Sequence, residues 1–159
     1  DRAQDYADKF GVPFFPGEKP WGVKVDVAMP CATQNEVDLE EAKKIIANGT
    51  KYYIEVANMP TTEDALNLLI DTDGIIVAPS KAVNAGGVCV SGLEMSQNSQ
   101  RLSWTAEEVD EKLHTAMINI HKHSVEAAEK YGLGYNLVAG ANIAGFEKVA
   151  EAMMEQGIY

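Results

Sequence analysis

Three short runs of apolar and β-branched residues, each followed within three residues by a proline, most constrain how this chain can fold. They occupy residues 23–29, 52–57 and 75–78. Runs of this length and composition, bounded by turn-forming residues, are typical of β-strands. Between them lie two segments with the apolar spacing of helices, residues 39–47 and 63–70. The order strand, helix, strand, helix, strand predicts parallel strands joined by right-handed crossovers.

Beyond residue 78 the pattern indicates helices alone. A segment rich in small residues, 84–100, is predicted to be a helix, and apolar spacing predicts a final helix over residues 137–156. Between them, Thr105 and Glu108 form a capping-box pattern at the start of a long helix that reaches Tyr131. Its predicted buried stripe comprises Val109, Leu113, Met117, Ile120, Ser124 and Ala128. At about 1.5 Å per residue this helix measures roughly 40 Å, more than a small sheet needs for cover.

The expected fold class is therefore α/β. We expect a partial Rossmann-like parallel sheet with flanking helices, followed by a long helix and a C-terminal helix. Residues 1–10 have the spacing of an amphipathic helix and do not begin with methionine. This start predicts that the chain is the downstream part of a larger fold.

The acidic composition argues against some classes of partner. The 159 residues carry a formal net charge of −11, whereas binding to nucleic acid phosphates requires clustered lysine and arginine. We expect no nucleic acid partner. No apolar run approaches the roughly 20 residues that a membrane-spanning helix needs, so no membrane partner is expected either. Cys31 and Cys89 are the two cysteines, and their spacing fits no metal site, which favours a reducing cytoplasm.

Polar clusters follow all three predicted strands. Residues 29–35, 57–62 and 78–87 are rich in amides, hydroxyls and prolines. Ligands of open parallel sheets bind outside the carboxyl ends of the strands, and these clusters lie at that edge. They lack acid–base pairs, so they suit a planar, polar, uncharged ligand held by amide hydrogen bonds. The alternative interpretation is that these residues are only turn and cap residues.

Other candidate residues point away from catalysis. Cys31 has no evident histidine partner, so a small buried thiol is favoured over a nucleophile. His114, His121 and His123 lack a cysteine or carboxylate partner at ligand spacing, which predicts surface histidines and no metal site. We expect three methionines in the core, namely Met117, Met153 and Met154. The segment from Gly132 lacks the third glycine of a dinucleotide fingerprint and follows no strand.

Several longer runs resemble one protein family. They are residues 20–21 (PW), 28–35 (AMPCATQN), 57–62 (ANMPTT), 79–88 (PSKAVNAGGV), 91–99 (SGLEMSQNS), 101–104 (RLSW) and 131–143 (YGLGYNLVAGANI). These runs resemble the carboxyl-terminal part of glutamate dehydrogenases of the bacterial, small-subunit hexameric type. The likeness covers nearly the whole chain. Many family members have glycine where this chain has Val56.

The resemblance implies reversible deamination of L-glutamate to 2-oxoglutarate and ammonia, with NAD or NADP accepting the hydride. In this family an amino-terminal domain supplies the catalytic lysine and aspartate, so we expect no catalytic residue in this chain. Residues 1–104 would be the C-terminal half of the dinucleotide-binding domain, and residues 105–159 helices that tie back to the amino-terminal domain. We expect this chain alone to be inactive, to bind NAD or NADP weakly or not at all, and to self-associate. The full enzyme would be a cytoplasmic homohexamer.

The resemblance also assigns roles to individual residues. Cys31, Ala32, Gln34 and Asn58 match family positions near the nicotinamide and its ribose. Asn84 matches a position near the nicotinamide carboxamide. Two further residues, Val88 and Ser91, match positions that contact the substrate side chain.

Two alternative functions can be weighed against this interpretation. The first is a related dehydrogenase for leucine or phenylalanine, but the Ser91 hydroxyl suits a carboxylate better than an apolar side chain. The second is a non-catalytic α/β module such as a receiver domain, which requires a phosphorylatable aspartate at a strand end. The strand ends here carry Met29-Pro30, Ala57-Asn58 and Ala78-Pro79 instead.

Overall fold

The computed structural model describes residues 2–157. Asp1 and residues 158–159 lie outside the described residues. Asp1 belongs to the predicted segment 1–104, and residues 158–159 belong to the predicted segment 105–159. The elements are, in chain order, α1 (Arg2–Phe10), a 3₁₀ turn (Pro20–Gly22), β1 (Val27–Ala28), α2 (Leu39–Ala47), β2 (Tyr52–Ile54), α3 (Glu63–Ile70), β3 (Ile76–Ala78), α4 (Ser80–Val83), α5 (Ala85–Gln100), α6 (Ala106–Lys130) and α7 (Leu137–Gln156).

The three strands of the described chain form one parallel sheet in the order β1-β2-β3. The predicted α/β class and the strand–helix alternation are confirmed. The strands are shorter than predicted, because each pairs only where its neighbour is extended. Val27 pairs with Tyr52, the first residue of β2, so residues 23–26 extend past the start of that strand. At the other end β3 stops at Ala78, beyond which Pro79 turns the chain.

The core lies where α2 and α3 cover the sheet. Ala28, Tyr53 and Val77 are register partners across the three strands, and all three are buried. Against this row pack Ile45 of α2 and Leu69 of α3, both fully buried. Burying side chains of this size contributes about 1.5–3 kcal/mol each, so this small core holds the strand ends in place.

Cap residues determine the bounds of α2. Asp38 caps its first turn, where a carboxylate oxygen accepts from the Glu40 and Glu41 N–H groups, each at 3.1 Å. The hydrogen bond from Glu41 holds the pKa of Asp38 below its usual value. Gly49, at φ +74°, reverses the chain after the last turn, which a glycine does without strain.

The long helix α6 begins at the predicted capping box. The Glu108 N–H donates to the Thr105 hydroxyl at 3.2 Å, and the Thr105 N–H donates to the Glu108 carboxylate at 2.7 Å. Of the predicted buried stripe, Ser124 and Ala128 are buried and the other four residues are half-buried. Ser124 and Ala128 lie against Gly140 of α7, whereas Leu113 and Met117 lie against Gly86 of α5.

The last turns of α7 carry exposed apolar side chains. Gly140 lies against Ser124, and Glu147 pairs with Lys130, so the two helices run in the same general direction. Since α6 ends at Lys130, the end of α7 extends beyond it. The prediction that Met153 and Met154 are core residues is wrong, because they lie on this overhanging part and are 59% and 76% exposed. Met117 of α6 is half-buried.

Candidate functional site

An open cleft of about 540 Å³ lies at the carboxyl end of the sheet. It is lined by Cys31, Ala32, Gln34, Val56, Ala57, Asn58 and Asn84. All five residues predicted to contact a cofactor are in this set, although they come from three separate segments of the chain. None of the lining residues carries a formal charge, so the cleft suits a neutral polar group.

Backbone hydrogen bonds hold the first two strand-end loops together. The Pro30 carbonyl accepts from the N–H groups of Val56 and Ala57 at 3.1 and 3.0 Å. Further along, the Asn35 N–H donates to the Met59 carbonyl at 2.9 Å. Both of the latter residues have positive φ, +54° and +46°. Asparagine adopts this conformation readily, whereas for Met59 it costs roughly 1–2 kcal/mol. Strain of this kind concentrates at functional sites.

Two asparagine side chains meet at the cleft. The Asn84 amide nitrogen donates to the Asn58 Oδ1 at 2.7 Å and to the Val56 carbonyl at 3.2 Å. An amide nitrogen has two protons, so both Asn84 donors are used. Within residues 2–157, the pairing therefore leaves Asn84 Oδ1 as an acceptor and Asn58 Nδ2 as a donor that make no other hydrogen bond.

A buried polar network lies directly behind these asparagines. Glu55 is 4% exposed, and both of its carboxylate oxygens accept hydrogen bonds. One accepts from the Thr61 hydroxyl at 2.7 Å, the other from the Ser80 N–H at 3.1 Å. The Tyr53 hydroxyl lies 2.7 Å from the Thr61 hydroxyl, and burial raises the Tyr53 pKa well above its usual value. The sequence prediction missed Glu55, although an acidic residue in the run YYIEVA is an available signal.

The Cys31 thiol does not have the predicted environment. It is exposed and donates to the Met29 carbonyl at 3.2 Å. The prediction of a buried thiol is wrong, because Cys31 follows Pro30 on the open side of the cleft, where no other element of the described chain packs on it.

The two predicted substrate contacts, Val88 and Ser91, are not among the cleft-lining residues. Both lie on α5, and Val88 is 73% exposed. They follow Asn84 by one and two turns of helix, so they lead away from the cleft along α5. Their roles stay a prediction.

The remaining polar candidates lie on surfaces. All three histidines are exposed, as predicted, and His121 bonds the Tyr135 hydroxyl at 2.7 Å. In the described range no group of His, Cys, Asp or Glu side chains could hold a metal ion. None of the helices described is long and apolar enough to cross a membrane.

Sequence comparison relates nearly the whole chain to one group of enzymes. Residues 2–157 match the family model described as glutamate/leucine/phenylalanine/valine dehydrogenase. The chain is 74% identical over 158 residues to the NAD-specific glutamate dehydrogenase of Clostridium symbiosum, covering 99% of this chain and 35% of that protein. It is 53% identical over 163 residues to the NADP-specific glutamate dehydrogenase of Haemophilus influenzae, with the same coverage. The chain thus spans about a third of the length of these relatives.

Structural comparison gives the same relationship. A solved glutamate dehydrogenase superposes with a TM-score of 0.95 at 75% identity, over 98% of this chain and 34% of that one. The glutamate dehydrogenase of Plasmodium falciparum gives a TM-score of 0.93 at 53% identity, over 100% of this chain and 34% of that one. A hetero-hexameric glutamate dehydrogenase from Thermus thermophilus, in a leucine-bound form, gives 0.81 at 25% identity, over 99% and 37%.

Proposed function

The chain belongs to the glutamate/leucine/phenylalanine/valine dehydrogenase family, and from that premise we propose that it forms part of a glutamate dehydrogenase. The full enzyme would convert L-glutamate reversibly to 2-oxoglutarate and ammonia. NAD or NADP would accept the hydride, since the relatives are named as NAD-specific and NADP-specific enzymes. Within the enzyme this chain would provide the nicotinamide side of the cofactor site.

The pairing of Asn58 with Asn84 is the observation that carries the proposal. It leaves the Asn58 amide nitrogen as a donor and the Asn84 amide oxygen as an acceptor, both on residues that line the cleft. The carboxamide of nicotinamide is planar and has one acceptor oxygen and one donor nitrogen, so it complements this pair. Asn58 Nδ2 would donate to the carboxamide oxygen, and Asn84 Oδ1 would accept from its nitrogen.

The other cleft residues fit the rest of the group. Ala32, Val56 and Ala57 are small or apolar, so they allow a flat ring to approach the loops closely. Cys31 and Gln34 lie at the same cleft and are proposed to contact the nicotinamide and its ribose. Bound nicotinamide would accept and return the hydride, and these residues would orient its ring.

Acid–base groups for the deamination are expected elsewhere in the full enzyme. The cleft lining in the described chain contains no histidine, lysine or carboxylate, the side chains that most often transfer protons in such reactions. We therefore propose that this chain alone is inactive and binds NAD or NADP weakly. We also propose that residues 1–104 contribute the cofactor site. Residues 105–159 would tie the two domains of the full enzyme together.

Glutamate is preferred over leucine or phenylalanine as the proposed substrate. The relatives cited above carry the name glutamate dehydrogenase. In addition, the proposed side-chain contacts Val88 and Ser91 include a hydroxyl, which can donate to the γ-carboxylate of glutamate. An apolar substrate would leave that hydroxyl without a partner.

A cytoplasmic homohexamer is the proposed assembly. The Thermus thermophilus relative is hetero-hexameric, so assembly of six subunits occurs among the similar proteins. Both cysteines are free thiols, as is usual for proteins of a reducing compartment.

The experiment that tests this function is a substrate panel on the full-length enzyme that carries this sequence. We expect glutamate-dependent reduction of NAD or NADP with kcat/KM at least about 100-fold above that for leucine, phenylalanine or norvaline, because a charge-assisted contact discriminates strongly. This chain alone, measured at equal concentration, serves as the inactive control. A higher kcat/KM for leucine or phenylalanine would contradict the proposal.

A further inference from the structure

We infer that Glu55 is a positioning residue of the cleft: through Thr61 and Ser80 it fixes the separation and orientation of Asn58 and Asn84. The identity of the ligand group that the asparagines position rests on the proposed function. The hydrogen-bond network itself does not.

The hydrogen bonds around Glu55 have defined directions. The Thr61 hydroxyl has one proton and donates it to Glu55 Oε1, so the Tyr53 hydroxyl must be the donor to Thr61. The Ser80 N–H donates to Glu55 Oε2. Glu55 is thus the terminal acceptor of two chains of donors, one from the loop after β2 and one from the start of α4.

Each chain leads to one asparagine. Thr61 ends the turn that contains Asn58, and its backbone forms a parallel bridge with Val37. Ser80 accepts from the Asn84 N–H through its carbonyl at 2.9 Å, while its own N–H bonds Glu55. The Glu55 carboxylate is therefore linked to the segment of Asn58 through Thr61, and to the segment of Asn84 through Ser80.

The surroundings of Glu55 indicate that it does more than stabilise the core. No ion pair in residues 2–157 involves this carboxylate, although it is almost fully buried. A buried acidic group without a cation is a poor way to gain stability, and an apolar side chain of similar volume often serves better. A fully bonded polar network instead makes local geometry unique. Fixing the two loops is the outcome that such a network provides.

Thr61 offers a matched comparison with Thr50. Both threonines are buried, each donates its hydroxyl to a single acceptor, and they flank β2 at opposite ends. Thr50 donates to the Val25 carbonyl at 3.1 Å, at the end of the strand away from the cleft. Replacing either by valine removes one hydroxyl and keeps the volume, but only the change at Thr61 breaks the network.

The test compares Thr61→Val, Thr50→Val and Thr61→Ser in the full-length enzyme. We expect Thr61→Val to lower kcat by roughly 10- to 100-fold, because small misplacements of a reacting ring have large effects. The KM for the cofactor should change less than about threefold. The primary isotope effect with 2-deuterated glutamate should rise, since hydride transfer becomes slower than the other steps. Thr50→Val and Thr61→Ser should keep kcat and the isotope effect within about twofold of the unaltered enzyme.

The outcomes separate this inference from the proposed function. An unaltered enzyme without glutamate-dependent activity would refute the proposed function. An active enzyme in which Thr61→Val and Thr50→Val have equal kcat would overturn the positioning role, as would equal losses in Thr61→Ser and Thr61→Val. If Thr61→Val does not fold, Glu55→Gln provides the same test, since its amide cannot accept from both donors. Failure of that variant to fold as well would also contradict a positioning role.

Discussion

At the scale of single residues, the geometry explains why asparagine occupies position 84. Its side chain donates both amide protons, to Val56 and to Asn58, and presents an oxygen to the cleft. An aspartate could donate to neither the Asn58 Oδ1 nor the Val56 carbonyl, so both hydrogen bonds would be lost. The amide at position 84 therefore holds the two loops together, in addition to its proposed contact with the ligand.

Asn58→Ala in the full-length enzyme tests the ligand side of this pair. The change removes the proposed donor to the carboxamide, and a hydrogen bond of that kind contributes about 1–3 kcal/mol. We expect kcat to fall by roughly 10- to 100-fold with a smaller rise in the KM for the cofactor. Steady-state kinetics at varied NAD and NADP measures both values. A raised KM with unchanged kcat would show that Asn58 stabilises the bound cofactor equally in the ground state and the transition state. That result would refute the positioning role of Asn58.

Ser91→Val tests the proposed contact between the Ser91 hydroxyl and the substrate side chain. We expect kcat/KM for glutamate to fall by roughly 10- to 100-fold, the value of a charge-assisted hydrogen bond. The gap between glutamate and norvaline should narrow, because no unpaired hydroxyl then disfavours the apolar side chain. Equal losses on the two substrates would assign Ser91 a structural role. Val88→Ala is the companion variant, for which a loss shared by both substrates is expected.

At the scale of elements, the contact between α6 and α7 depends on one glycine. A Cβ added at Gly140 would lie 1.9 Å from the Ser124 carbonyl oxygen, a backbone atom that cannot rotate away. The two helices therefore approach more closely than any residue with a side chain would allow.

Gly140→Ala should destabilise this helix pair. Overpacking of this kind typically costs about 1–3 kcal/mol, and we expect a lower free energy of unfolding in chemical denaturation of the full-length enzyme. Gly145→Ala is the matched control on α7, where an added Cβ meets nothing within 4 Å. The control should be neutral or should stabilise by up to about 1 kcal/mol, because alanine favours helix. Equal effects at both glycines would contradict the close contact described here.

The elements also show what the sequence could and could not predict. The bounds of α2, α3 and α7 match the prediction, since caps and helical spacing are local signals. The strand ends were overestimated, because pairing depends on how far a distant strand extends. The five residues that the resemblance assigns to cofactor contact line one cleft, and their role stays a prediction. Glu55 was missed and Cys31 was placed wrongly, since burial depends on which elements cover a residue.

At the scale of the whole molecule, the described chain exposes an apolar face. Phe146, Val149, Met153 and Met154 on α7 are 59–76% exposed. Val27 and Met29 around β1 are also exposed at one edge of the sheet. Exposed apolar surface and an unpaired strand edge both favour association.

We therefore expect this chain alone to self-associate. Light scattering over a wide concentration range should give a mass that rises above 17.2 kDa, with binding of a dye specific for apolar surface. The double variant Phe146→Glu/Met153→Glu places charge on the α7 face and should shift the mass toward that of a monomer. A concentration-independent monomer with little dye binding would contradict this expectation.

A structure of the full-length enzyme with bound NAD or NADP would show where the nicotinamide lies. We predict the nicotinamide ring in the cleft, with its carboxamide oxygen within hydrogen-bond distance of Asn58 Nδ2 and its carboxamide nitrogen within hydrogen-bond distance of Asn84 Oδ1. A ring bound outside the cleft, or a carboxamide that contacts neither asparagine, would contradict this prediction.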